Sequence, residues 1–248
     1  MTDLTVASFN LHWALGSRRR GYRPFDPVAA CDQLDSDLLV LQESWAPDDG
    51  VSQHDRVAAA LGYEVVATPI GRATAVPTPH VVSPPDPERR KGDGDWCLAV
   101  LSRRPIASSR VTTLPKLPTD PARRSVIQAM VQVDDQPLAV HGTHMSHLEM
   151  GVVLHRRGLR AALAPATGPG ILLGDMNMWG WCISAMVPRG WVRARGGPTF
   201  PASRPWARID HLLSTTSVEV LSSEVVPDLG SDHLAVRGRI RVGAERTR

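Results

Sequence analysis

"LLGDMNMW", residues 172–179, ends an apolar run on a carboxylate and an amide, Asp175 and Asn177, with only Met176 between them. The run from Gly170 to Leu173 is short and continuous, which predicts a buried strand. Residues two apart in an extended chain share a face, so Asp175 and Asn177 are expected together at its C-terminal end. Ligands gather at that end in open α/β sheets. A carboxylate there accepts a proton or holds a metal, and an amide donates to an oxyanion. A strand closed by an Asx-rich turn would use the same residues. The rest of the chain decides between the two.

Outward from this stretch, strand-like runs recur along all 248 residues: 4–10, 37–43, 63–68, 96–102, 106–114, 125–133, 137–145, 170–177, 207–214, 218–226 and 233–242. The run 37–43 is continuously apolar and expected to be buried on both faces. Asp134, Asp135 and Gln136 read as a hairpin-like turn between two of the runs. Helices are fewer. Asp26 and Pro27 open one over 26–35. Another spans 52–62 and stops at Gly62. The longest covers 147–165, with Gly151 and Gly158 inside it, and a short one covers 180–187. Helices between strands argue for sheets covered by helices, and adjacent antiparallel pairs argue against a purely doubly wound sheet. Residues 68–95 are rich in Pro and charge without periodicity, and read as a functional or disordered loop. No internal repeat or dividing linker interrupts the chain, so one catalytic domain over 1–248 is expected.

Composition excludes some classes. At 42% apolar residues the chain can build a core. No apolar stretch reaches the ~18 residues of a membrane span. The start, "MTDLTVASFN", has no basic region followed by an apolar one, so no secretory signal is read. Cys31, Cys97 and Cys182 are odd in number and widely spaced, with neither metal spacing nor a disulfide frame. A reduced, cytoplasmic protein is the expectation. The net charge of +3 is uneven: residues 1–95 carry 9 Lys+Arg against 14 Asp+Glu, and residues 96–248 carry 19 against 11. A basic half suits phosphates. Only Lys91 and Lys116 are lysines, however, and so strong an Arg bias also follows from genome composition.

Other strands also end on polar groups. Asn10 closes the first and Glu43 the second. His144 closes the run 137–145, Asp210 lies inside 207–214, and Asp232 and His233 open the last. One charge beside a core strand is noise; six strands each delivering Asn, Glu, Asp or His form a pattern, because such groups are costly to bury unless paired or metal-bound. The set fits phosphoester hydrolysis. Mg²⁺ prefers one or two carboxylates plus substrate phosphate, and Glu43 and Asp232 are the candidates. Asp175 is placed to accept a proton from water. Asn177 and His233 are candidate donors to the phosphate, with Asp210 orienting His233 and keeping it protonated.

The pieces "SFNLHW" (8–13), "LLVLQES" (38–44), "LAVLSRRPI" (98–106), "HGTHMSH" (141–147), "LLGDMNMW", "TFPASRPWARIDHLL" (199–213) and "GSDHLAV" (230–236) resemble, in order, the motifs of the endonuclease/exonuclease/phosphatase superfamily. That group includes pancreatic-type deoxyribonucleases, abasic-site endonucleases, neutral sphingomyelinases and inositol-polyphosphate phosphatases. Each piece alone is weak; all of them in order are specific. The resemblance implies a four-layer α/β sandwich, two packed mixed β-sheets flanked by helices. It implies Mg²⁺, with Mn²⁺ as a substitute, and in-line attack of water on a phosphoester. Glu43 falls on the metal ligand, Asn10 on its supporting amide and Asp232 on a second metal-side carboxylate. Asp175 falls on the residue that positions or deprotonates water, and Asn177 on its phosphate-contacting partner. Asp210 and His233 fall on the Asp–His pair, and His144 on the histidine of the nuclease and sphingomyelinase branches. Arg124 matches a family arginine before that strand.

Departures narrow the choice. His12 stands where abasic-site enzymes carry Asp, and His144 where they carry Tyr. "WARIDHLL" differs from the "WCDRIL"-like run of the inositol phosphatases. The expected substrate is nucleic acid, cleaved by an intracellular nuclease, with a small-molecule or lipid-headgroup phosphoester as the alternative. No obligate protein partner is implied. A non-catalytic phosphate-binding shell is a further class; the intact Glu43, Asp175, Asn177, Asp210 and His233 argue against it. His12, His54, His80, His141, His147, His155 and His211 read as surface or satisfied core groups. Trp179, Trp181, Trp191 and Trp206 read as packing before base stacking, and Arg18 to Arg20 as a solvated loop.

Overall fold

The computed structural model describes residues 1–16, 24–73, 93–117, 120–147, 149–164 and 168–243. The reading of Arg18 to Arg20, and the side chain of Trp181, lie outside the described residues.

Among the described residues twelve strands form two six-stranded sheets. The first sheet contains β1 (Thr2–Asn10), β2 (Leu38–Pro47), β3 (Glu64–Ala73), β4 (Gly94–Ser102), β11 (Val218–Val225) and β12 (Val236–Val242), in the order β11-β12-β1-β2-β4-β3. The second contains β5 (Ile106–Thr113), β6 (Ser125–Val133), β7 (Gln136–His144), β8 (Gly170–Asp175), β9 (Trp191–Arg193) and β10 (Asp210–Thr215), in the order β5-β6-β7-β8-β10-β9. Each sheet is mixed. β1 and β2 are parallel and joined through α1 (Pro27–Leu34); β7 and β8 are parallel and joined through α3 (Glu149–Leu163). A parallel pair needs such a crossover, and a helix supplies it. The remaining pairings are antiparallel.

Alternation along the strands sorts the core into three layers. Leu4, Val6, Leu38, Val40, Leu138, Val140, Ile171, Leu173 and Leu212 lie between the sheets. Ala7, Phe9, Leu39 and Leu41 point the other way, onto α1 and α2 (Gln53–Leu61), through Ala30, Cys31, Leu34, Val57 and Ala58. On the far side, Val126, Leu172 and Leu213 meet Leu159 and Leu163 of α3, and Ile183 and Met186 of α4 (Gly180–Met186). Helix, sheet, sheet, helix is the expected four-layer sandwich. The sheets approach closely at Gly142, where an added Cβ would lie 2.7 Å from Val100 and 2.9 Å from Val40.

The expected elements form, with four corrections. β3 runs on to Ala73 and β4 begins at Gly94, so residues 68–73 and 94–95 are strand rather than irregular loop. Pro69 misled the sequence reading. It sits at a register shift on an edge strand, where a missing N–H is tolerated. The rest of that proposed loop, 74–92, lies outside the described residues. β9 has three residues, too few to show a period. β10 begins only at Asp210, because Phe200 and Ala207 form their own antiparallel bridge upstream. β12 begins only at Val236. Among the described residues no helix is long and apolar enough to cross a membrane.

Candidate active site

The two parallel pairs end at one edge of the sandwich. Asn10 is the last residue of β1, beside Gln42 of β2. His144 and Asp175 are the last residues of β7 and β8 and are register partners. The antiparallel neighbours β10 and β12 bring their N-terminal ends to the same edge. Asp210 opens β10 opposite Asp175, and His233 lies just before β12. Parity fixes direction. Asn10 shares a face with Val6, His144 with Val140, Asp175 with Leu173 and Asp210 with Leu212, all facing the other sheet. Four buried polar side chains thus converge between the sheets where the apolar core stops.

Glu43 breaks this parity. Strict alternation would put Gln42 inside and Glu43 outside with Leu41. A bulge between Leu41 and Ser44, with Glu43 at φ 52, re-aims the carboxylate to 3.9 Å from His144 Nε2. Bulges next to active sites commonly re-aim a side chain in this way.

Asp175 is the hub. Asn10 Nδ2 donates to its Oδ2 at 3.2 Å, and the Asn177 backbone N–H donates to its Oδ1 at 2.8 Å. His144 Nε2 lies 3.6 Å and His233 Nε2 3.8 Å from Oδ2. Asn177 is not extended from Asp175 as the two-residue rule suggested. It has φ 51, its N–H closes an Asx turn, and its Nδ2 donates to the Met145 carbonyl at 2.9 Å. The turn reading holds for this stretch, and the same turn sets Asp175 among Asn10, His144 and His233. Gly174 makes the approach possible: at φ +154, an added Cβ would lie 2.0 Å from the Thr143 carbonyl oxygen.

Behind His233, Asp210 Oδ2 accepts from Nδ1 at 3.0 Å and from Thr199 Oγ1 at 2.6 Å. Phe200 packs its ring 4.8 Å from the imidazole. Burial opposes charge on His233. The Asp210 charge and hydrogen bond, helped by Asp175 and Asp232, outweigh it and raise the pKa to about 10. His144 is driven the opposite way, well below the ordinary histidine value, by burial first and then by Arg124 and His233. At neutral pH one histidine is charged and its neighbour is not. Burial, reinforced by Asp210, raises the Asp175 carboxyl above the usual carboxylate range.

Asp232 stands on the outer side of the site. Its Oδ1 is 3.4 Å from His12 Nδ1 and accepts from Ser231 Oγ, which also donates to the Asn10 carbonyl at 2.7 Å. His12, read as a bystander, therefore borders the site. Its N–H donates to Asn10 Oδ1 at 3.0 Å and so sets which end of that amide faces Asp175. His12, Trp13 and Ala14 all have positive φ, a left-handed turn that no propensity rule anticipates. Arg124 is buried in a two-bond pair with Asp120, 2.9 and 3.3 Å, and lies 5.6 Å from the Trp96 ring, which in turn meets His144 edge-on. Sequence reasoning missed Thr199, Phe200, Trp96 and the placement of His12. Thr199 and Phe200 lay within a quoted motif piece; nothing marked Trp96.

Which groups suit a divalent ion follows from the donors. Asp175, Asp210 and His233 bring ligand atoms within 4.8 Å of one another. Asp210 Oδ2 is already taken by His233 Nδ1 and Thr199 Oγ1, however, and a protonated His233 repels a cation. Glu43 and Asp232 instead offer hard carboxylate oxygens that are partly open to solvent, with side-chain exposures of 19% and 23%. Together with the Asn10 amide they offer the oxygen ligands that a hard divalent cation takes.

The sequence profile described as "Endonuclease/Exonuclease/phosphatase family" matches residues 7–233. The chain belongs to the endonuclease/exonuclease/phosphatase family. Members of this family hydrolyse phosphoesters and are in general divalent-metal dependent. No curated protein matches the sequence significantly. Among solved structures, the family protein of Beutenbergia cavernae is 25% identical with a TM-score of 0.74, covering 98% of this chain and 72% of its own. A mannosyl-6-phosphatase of Bacteroides thetaiotaomicron is 21% identical, TM-score 0.68, covering 96% of this chain and 99% of its own. D. rerio TDP2, complexed with a single-strand DNA product, is 15% identical, TM-score 0.68, covering 98% and 100%. The last two likenesses establish the shared family fold.

Proposed function

We propose that this family member is a Mg²⁺-dependent hydrolase of phosphodiester bonds, a nuclease in which water attacks phosphorus in line. The observation that carries the reading is the arrangement at Asp175, one carboxylate oriented by Asn10 with two histidines of opposite charge state against it. Asp175 takes the proton of the attacking water, and its raised pKa suits a base working near neutral pH. Protonated His233, braced by Asp210 and Thr199, faces the growing negative charge on the phosphoryl oxygens and donates to it. Neutral His144 contributes its Nε2 from the other side without adding a second positive charge beside His233. Asn177 keeps one amide N–H for the phosphate after the other is given to Met145.

Glu43 and Asp232, with Asn10 in support, would hold the metal. When bound, Mg²⁺ or Mn²⁺ polarises the phosphoryl oxygens and neutralises charge. The cysteines are unpaired, in keeping with a cytoplasmic enzyme. The structural likeness to a mannosyl-6-phosphatase favours a second reading, a phosphatase of small phosphomonoesters.

The test compares supercoiled plasmid, bis-p-nitrophenyl phosphate and mannose 6-phosphate, each with Mg²⁺ and with excess chelator. The proposal expects nicking and diester cleavage that stop with chelator and return with Mg²⁺ or Mn²⁺. Phosphate release from the sugar monoester alone would select the second reading. Undiminished hydrolysis in chelator would remove the metal mechanism.

A further inference from the structure

Two tryptophans stand out on the loops that carry site residues. Trp179 is 60% exposed and Trp206 66% exposed, and they are the only aromatic side chains among the large exposed hydrophobics of the described residues. Trp side chains gain stability by burying their large apolar area, so two left in solvent have a poor structural rationale. They meet edge to face, ring centroids 5.8 Å apart at 89°. In an edge-to-face pair one ring presents its edge, so the contact itself covers at most one ring face of the two.

Their placement ties them to the reacting groups. Trp179 lies two residues past Asn177, where the Asp175 turn ends, and its carbonyl accepts from Cys182 N–H in the first turn of α4. Trp206 lies on the loop between Thr199 and Asp210. That loop is pinned to the site: Trp206 N–H donates to the Phe200 carbonyl, Ala202 N–H to the Asp232 carbonyl at 2.7 Å, and Thr199 Oγ1 to Asp210. Both loops are therefore held by the residues that surround Asp175 and His233.

The surroundings are cationic. Arg195 and Arg204, on the stretches that lead to Thr199 and to Asp210, are exposed, and among the described residues no ion pair engages them. Arg208 is half-buried. Its pKa falls to about 10, through burial first and then through the like charge of Arg193. Exposed indoles on a segment that also carries unpaired guanidinium groups match an aromatic ligand on an anionic backbone. In a duplex the base faces are already covered by their neighbours, so only an unpaired base can occupy a ring face.

We infer that Trp179 and Trp206 form a stacking platform for an unpaired nucleobase flanking the scissile phosphate, so that single-stranded nucleic acid is the preferred substrate. The inference rests on the phosphodiesterase reading above and adds the residues that select the substrate.

The test has a binding arm and a cleavage arm. Binding is followed by the anisotropy of fluorescein-labelled oligonucleotides on Asp175→Asn protein in chelator, with Trp179→Ala or Trp206→Ala added. Base-bearing and wholly abasic single strands are compared. Each Trp variant is expected to weaken the base-bearing strand about tenfold, a change of about 1.4 kcal/mol, and to erase the preference over the abasic strand. In the cleavage arm, the ratio of base-bearing to abasic cleavage should collapse in the same variants, while the exposed-surface control Val192→Ser keeps it. Equal losses on both strands, or no loss, would overturn the platform. So would wild-type enzyme that cleaves bis-p-nitrophenyl phosphate but ignores oligonucleotides. Trp-dependent binding to phosphatidylcholine–phosphatidylserine vesicles in place of oligonucleotides would overturn it in favour of a lipid surface. Trp-dependent oligonucleotide binding without hydrolysis of any substrate would sustain the platform and sink the catalytic reading instead.

Discussion

At the scale of single residues, charge states are set by what each side chain faces. His141 and His211 lie on the outer face of the second sheet, opposite in parity to the site. Burial lowers both to about 4. His211 Nε2–H donates to the Met178 carbonyl, whereas His141 has no hydrogen-bond partner among the described residues. The unfolded chain titrates both near 6.5. Between about pH 6.5 and 4 the unfolded state therefore binds protons that the folded state refuses, and stability falls as the pH falls. Above 6.5 this contribution is fully present. We predict that His141→Leu flattens the decline in urea midpoint between pH 7.5 and 5. The same change should raise stability at pH 7.5 by about 1 kcal/mol, by removing an unsatisfied buried polar group. An unchanged pH slope would contradict the assignment. The sequence reads His141 as a surface or satisfied core group, and it is neither, because satisfaction depends on neighbours from other strands, which spacing does not reveal.

At the scale of elements, most strands were legible because buried runs of Val, Ile and Leu end at polar groups. Irregularities were not. The bulge that re-aims Glu43, the left-handed turn at His12 to Ala14 and the Asx turn at Asn177 all depart from the local period. They are also the features that shape the site. Conflict between local rule and structure is expected where function constrains the backbone. Gly174 gives a direct test. An added Cβ would collide with the Thr143 carbonyl, and the residue sits at φ +154. Gly174→Ala should cost about 3 kcal/mol. It should also displace Asp175 and so lower kcat well before the protein unfolds. Thermal denaturation with turnover measured at 25 °C checks both, and a variant with wild-type melting temperature and kcat would show that the tight β7–β8 approach is unimportant.

At the scale of the whole molecule, two β-α-β crossovers, one per sheet, bring four strand ends to one edge. The antiparallel strands β10 and β12 deliver Asp210 and His233 to the same place. The motif order made this architecture legible, since seven weak pieces in sequence imply one fold. The strand order within each sheet did not follow from the pieces, because neighbours such as β1 and β12 are far apart in the chain. The substrate is written in loops rather than in the frame, and frames of this kind host many substrates. The central claim is narrower, that Asp175 activates water for attack on phosphorus. It is tested most directly by steady-state hydrolysis of bis-p-nitrophenyl phosphate with saturating Mg²⁺, comparing the natural chain with Asp175→Asn at matched circular dichroism. The account predicts a fall in kcat of about a thousandfold or more, with the fold unchanged. Near-natural turnover by the variant would contradict it.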